Sequence, residues 1–187
     1  ADDSLSMDAC EILMREVGET NADVVSAPYW VRDGDSIWRS DRNSVSSRST
    51  TRLQDLLSAR RNSMLPGRAI RSNLIAKLGT IEESWLPHED MRATFRLFAQ
   101  PLSVSNVNSP IYLYDKSCSQ ITREFTRSHL RGFELALDDY LQVISTHEDE
   151  TALRTALSRG VLSYVRVFAD RCDDLEVLAE LRQVASS

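Results

Sequence analysis

The chain has 187 residues, 42% of them hydrophobic and 27% charged, with a formal net charge of −6. This is the balance of a single folded domain, 1–187, able to bury a sizeable core, and it excludes a disordered tail, a collagenous repeat and a disulfide-built scaffold. No apolar run approaches the ~20 residues that a spanning helix needs, so no transmembrane segment is expected.

Residues 4–17 predict a helix, because Leu5, Ala9, Ile12, Leu13 and Val17 recur at helical spacing and Gly18 stands where a C′ glycine belongs. From Val24 to Arg39 the text turns β-branched and aromatic around Asp33-Gly34, which predicts a small hairpin carrying Trp30 and Trp38 on opposite arms. Residues 40–51 are rich in Ser and Arg and poor in apolar side chains, and they read as a mobile loop.

A helix is expected at about 50–63, ended by Pro66-Gly67, and another along Ile70, Leu74, Leu78, Ile81 and Trp85. Pro87 with His88-Glu89-Asp90 reads as an acidic first turn leading to Met91, Phe95 and Phe98. A polar loop, 103–110, precedes a short strand at Ile111–Tyr114. The last third is strongly helical: Ser117 or Ser119 starts a long stripe through Ile121, Phe125, Leu130, Phe133, Leu137 and Ile144. Leu153, Leu157, Val161 and Phe168 make a second helix, and Leu175, Leu178 and Leu181 a third. Short connections make such helices antiparallel neighbours, so the expected fold is mainly α, a helical bundle or orthogonal array with a hairpin near 24–39.

Charge is unevenly spread. Residues 1–38 hold nine acids against Arg15 and Arg32, whereas residues 39–71 hold eight arginines against Asp41 and Asp55. The strip either lies against its acidic neighbours or faces an anion. It lacks interleaved aromatics for base stacking, which weighs against nucleic acid.

Motifs for common chemistries are missing: no Walker loop, no Gly-x-Gly-x-x-Gly, no Gly-x-Ser-x-Gly and no His-Glu-x-x-His. His88-Glu89-Asp90 and His147-Glu148-Asp149 supply metal-ligand types, but consecutive helical residues point about 100° apart, so first-turn electrostatics explains them and no metal or other cofactor is expected. Cys10, Cys118 and Cys172 contain no Cys-x-x-Cys pair. Their odd number favours a reducing, cytoplasmic compartment, while an Ala1-Asp2-Asp3 start compatible with signal cleavage keeps a secreted or translocated protein open.

The reading that follows is a non-enzymatic protein-interaction or regulatory module. Its binding residues would be Arg52, Arg60, Arg61 and Arg68 of the strip and the hairpin's Trp30 and Trp38. Its partner would be a protein with an acidic or phosphorylated surface, and a homo-oligomer is compatible with its helices. Arg60-Arg61-Asn62-Ser63 makes Ser63 a candidate phosphosite. The alternatives are an enzyme or secreted effector whose site is not local in sequence, and nucleic-acid binding through the strip.

Overall fold

The computed structural model describes residues 3–61, 64–77, 87–116 and 125–186. Among them the fold is α/β, which corrects the mainly α expectation. Strands β1 (Ser4–Leu5), β2 (Val24–Ser26), β3 (Tyr29–Asp33), β4 (Ser36–Ser40), β5 (Arg68–Ile70), β6 (Val104–Asn106) and β7 (Tyr112–Asp115) form two mixed sheets. One has the order β1-β7-β3-β4 and the other β5-β2-β6. The physical reason for the miss is that two of the pairings are long-range and parallel. β3 lies parallel to β7, Tyr29 opposite Tyr112, and β2 lies parallel to β6, Val24 opposite Val104. Such crossovers leave no local periodicity, and strands of two to five residues are too short to alternate visibly.

The expected hairpin exists as β3–β4, with Asp33 opposite Ser36 and Gly34 at the first turn position at φ 59°. Val24–Ser26 belongs instead to the other sheet, and the supposed polar loop 103–110 contains β6. Val45, within the Ser/Arg-rich segment, donates to Asn106 Oδ1 at 2.9 Å and accepts from Asn106 Nδ2 at 3.0 Å.

The helices are α1 (Ala9–Thr20), α2 (Ser49–Leu57), α3 (Ser72–Lys77), α4 (Glu89–Phe98), α5 (Arg127–Ile144), α6 (Glu150–Ala169) and α7 (Leu175–Ser186). α1 runs past Gly18 and closes on Asn21, whose left-handed φ of 51° lets its N–H reach Val17 O at 2.8 Å. Ile70, expected to open a helix, is a strand residue. Leu78, Ile81 and Trp85, the caps at Ser117 or Ser119, and Ile121 lie outside the described residues. In α5 and α6 the stripes of the last third are as read, with Phe133, Ile144 and Leu153 fully buried; in α7 Leu181 is buried, but Leu175 is 81% exposed and Val177 is buried instead.

Three apolar clusters fill the interior. Leu53, Leu57, Met91, Phe95, Phe133, Tyr140 and Phe168 join α2, α4, α5 and α6; Ala9, Val25, Tyr29, Val31 and Tyr112 join α1 to the sheets; Val24, Leu56, Leu97 and Phe98 link the two. α4 contributes to the first and the last of these, so it sits where the helical layer meets the sheets.

α2 and α6 cross in backbone contact at Gly160, where an added Cβ would stand 1.7 Å from Leu57 O. Gly160→Ala must therefore push two helices apart. It is expected to cost about 1–3 kcal/mol, read as a lowered urea midpoint with an unchanged slope; an unchanged midpoint would contradict the crossing.

Candidate functional site

The arginine strip does not form one surface. Arg52 is only 2% exposed; its guanidinium donates to Phe98 O at 3.3 and 3.4 Å, to Ser46 O at 3.3 Å and to Ser47 O at 3.5 Å, and it lies over the Phe98 ring. Burial lowers its pKa. It is a structural cation at the carboxyl end of α4, where helix carbonyls favour positive charge. Arg61 donates to Asp41 O at 3.0 Å and sits 3.9 Å from Asp55. Arg60 is exposed and shares a groove between α2 and α6 with Arg159. Arg39 and Arg71 pair with Asp41 and Asp23.

The hairpin aromatics also separate. Val31, not Trp30, stands opposite Trp38, so the two tryptophans project from opposite faces of the ribbon, each 41% exposed, with Lys116 over the Trp38 ring. Ser63 lies outside the described residues.

One predicted residue, Arg68, does reach a cavity. A cleft of about 440 Å³ runs between α1 and the 66–69 segment, lined by Leu5, Ala9, Leu13, Met14, Arg68 and Tyr112 among others. The segment turns into the cleft through Gly67 at φ 76°, a conformation that favours glycine. Its carbonyl accepts from Ala27 N at 2.9 Å. Arg68 is held by its Nε donating to Ser26 Oγ at 3.1 Å and by its plane over Phe98.

Near Arg68 and Tyr112 stand two carboxyl groups, Asp3, which the sequence did not single out, and Asp90, which it read only as part of an acidic first turn. Asp3 accepts from the Tyr112 hydroxyl and, at 3.0 Å, from Asp115 N. Burial, reinforced by Asp3, keeps the Tyr112 hydroxyl protonated far above the ordinary phenol range. Asp90, at the start of α4, is within electrostatic reach of both Arg68 and Tyr112.

Burial pushes the Asp90 carboxyl up to about 6 and the Glu89 carboxylate adds to the rise, while a hydrogen bond from the Leu65 backbone and the Arg68 charge oppose it. Burial likewise brings Arg68 down to about 10, so it stays charged at neutral pH. Arg68 and the protonated Tyr112 thus line the cleft, and the basic Asp90 carboxylate is hydrogen-bonded to the Leu65 backbone, one residue before that lining begins. This is a set of types suited to moving a proton from a hydroxyl and receiving negative charge.

Next to Asp90, His88 turns the other way, into an aromatic box. Its ring centroid lies 5.3 Å from Phe168, 6.1 Å from Phe133 and 5.9 Å from His129. Burial and the neighbouring His129 lower it to about 4, so it is neutral. Among the described residues no group of three or more His, Cys, Asp or Glu side chains is arranged to hold a metal. Cys10 is exposed and lines the cleft, Cys172 is buried, and Cys118 lies outside the described residues. No described helix is long and apolar enough to cross a membrane.

No family model and no curated protein sequence matches the chain. A solved structure does: S. aureus TarS 1-349 in complex with UDP-GlcNAc, with a TM-score of 0.66 at 12% identity, over 96% of this chain and 53% of that one. The chain thus spans about half the length of the TarS structure it matches, and at this identity the likeness is one of fold. The fold is α/β, shared with the TarS structure, and this finding overturns the reading of a helical, non-enzymatic interaction module.

The two half-buried groups at the start of α4 make opposite contributions to acid stability. Asp90 has its folded value above its unfolded 3.8, so its contribution is present at low pH and is lost as pH rises through about 6. His88 has its folded value below its unfolded 6.5, so its contribution is present above that value and is lost as pH falls toward about 4. Urea unfolding across that window is expected to show Asp90→Asn more acid-labile than wild type and His88→Phe less so. Three parallel stability–pH curves would contradict both assignments.

Proposed function

We propose that this chain handles a nucleotide sugar and belongs to a glycosyltransferase, with Asp90 as the general base. The observation that carries the reading is Asp90 itself: a carboxyl held near 6 and hydrogen-bonded to Leu65, which leads into the 66–69 wall of the cleft, in a fold shared with a chain that binds UDP-GlcNAc. A carboxylate at its ordinary value is too weak a base to take a proton from a hydroxyl; one raised by burial is stronger, and at neutral pH it is still mostly ionised.

In the proposed step the acceptor hydroxyl oxygen bonds to the anomeric carbon of the donor as its proton passes to the Asp90 carboxylate. The bond from that carbon to the diphosphate breaks, and the electron pair leaves with the nucleoside diphosphate. Arg68, the cation among the cleft-lining residues, is placed to receive the charge that develops on the leaving group. Asp3 and Tyr112 hold each other, and Asp3 also accepts from Asp115 N, which ties the N-terminal segment to β7.

Calorimetry with UDP-GlcNAc and with UDP-glucose, UDP-galactose and GDP-mannose tests the binding half. Release of the nucleoside diphosphate with water as acceptor tests the chemistry. At least one donor is expected to bind, and Asp90→Asn is expected to lower its turnover about 100-fold or more while leaving the dissociation constant little changed. No binding by any donor, or undiminished turnover in Asp90→Asn, would overturn the proposal.

A further inference from the structure

His88 combines three features that separately disfavour the folded state. Its backbone φ is 80°, a left-handed conformation that residues with a Cβ rarely adopt. Its Nε2 is buried with no hydrogen-bond partner in the described structure. Its imidazole is kept neutral inside the protein. A helix start needs none of these: a Ser or Asp at the same place would cap the helix without strain.

What the arrangement secures is the path of the chain. The His88 carbonyl accepts the first α4 bonds, from Met91 N at 3.1 Å and Arg92 N at 3.2 Å, and so the residue sets where α4 begins. The ring is clamped by His129 and Phe133 of α5 and Phe168 of α6. His129 is itself fixed: its Nδ1 accepts from Thr126 N at 3.2 Å and lies 2.8 Å from Thr126 Oγ1. With the side chain committed to the helical layer and φ left-handed, the following residues turn back toward the sheets. Asp90, two positions on, accepts a hydrogen bond from the Leu65 backbone and stands within electrostatic reach of Arg68 and Tyr112. Backbone strain that persists because its surroundings over-determine it is a sign of such a positioning task.

We infer that His88 is a positioning residue, its ring anchored in the Phe133–Phe168–His129 box so that the strained start of α4 holds the Asp90 carboxyl against the Leu65 backbone, next to the 66–69 wall of the cleft. This rests on the reading of Asp90 as the base.

The test follows the Asp90 carboxyl directly, by ¹³C NMR of aspartate-labelled full chain, its resonance assigned by loss in Asp90→Asn. Two variants divide the features of His88. His88→Asn tolerates the left-handed φ but has no ring to anchor, whereas His88→Phe keeps an aromatic ring and loses both nitrogens. The wild-type midpoint is expected near 6, His88→Phe close to it, and His88→Asn displaced downward toward 3.8 as the carboxyl gains water. Donor turnover is expected to fall in His88→Asn and to persist in His88→Phe.

A folded His88→Asn with the wild-type midpoint and turnover would overturn the positioning role. So would a His88→Phe that shifts as far as His88→Asn, because the nitrogens rather than the anchored ring would then matter. If His88→Asn fails to fold, His88→Gly, which also accepts the left-handed φ, carries the same readout. A wild-type midpoint near 3.8 would instead overturn the reading of Asp90, and the inference with it.

Discussion

The structure depends on how a single ten-residue helix, α4, is held at both ends and along one side. At its amino end the His88 ring sits in the aromatic box of α5 and α6. At its carboxyl end the buried Arg52 guanidinium takes the Phe98 carbonyl and stacks on the Phe98 ring. Between them Arg92 and Arg96 converge on Asp139 of α5, at 2.8 and 2.7 Å. Those ion pairs are largely shielded from water and share one carboxylate, so their geometry matters more than a solvated pair's would. A helix fixed this way is a rigid arm, and Asp90 is carried on its first turn.

Rigidity explains why a carboxyl can be kept where it is uncomfortable. Left free, the first turn of α4 would rotate Asp90 into solvent and its value would relax toward that of an ordinary carboxylate. The helical core formed by Phe95, Phe133, Tyr140 and Leu153 supplies the apolar burial that opposes this. Arg68 is placed opposite by the short β5–β2–β6 sheet and by the glycine turn at 67, so base and cation come from different layers of the fold. The cleft itself lies between α1 and the 66–69 segment, with Arg68 in its lining and Asp90 bonded to Leu65 just before that lining.

The sequence showed those parts whose cause is local. Long apolar stripes made α5, α6 and α7 readable, and Asp-Gly between aromatic runs marked the β3–β4 turn. The charge strip resolved into its simpler meaning at several positions, with Arg71 against Asp23, Arg39 against Asp41 and Arg52 turned inward. What stayed hidden is non-local. Val24 meets Val104 and Tyr29 meets Tyr112 only through parallel pairing, and no spacing rule announces either. Asp90 was hidden by its own position, because an acid in a first helical turn is explained by the helix dipole alone. The one available hint was apolar context, Met91 and Phe95 following at once, which argues that this first turn is buried rather than solvated. Asp3 had no hint at all, since its partners Tyr112 and Asp115 lie over a hundred residues away.

The central claim, that the half-buried Asp90 carboxylate accepts the proton during transfer from a nucleotide sugar, is tested most directly by the pH dependence of nucleoside diphosphate release at subsaturating donor. The account predicts a plateau around and above neutral pH and an acid limb with its midpoint near 6, falling about tenfold per unit below it as the single carboxyl is protonated. A rate that stays flat down to about pH 4, or a limb that survives unchanged in Asp90→Asn, would contradict it.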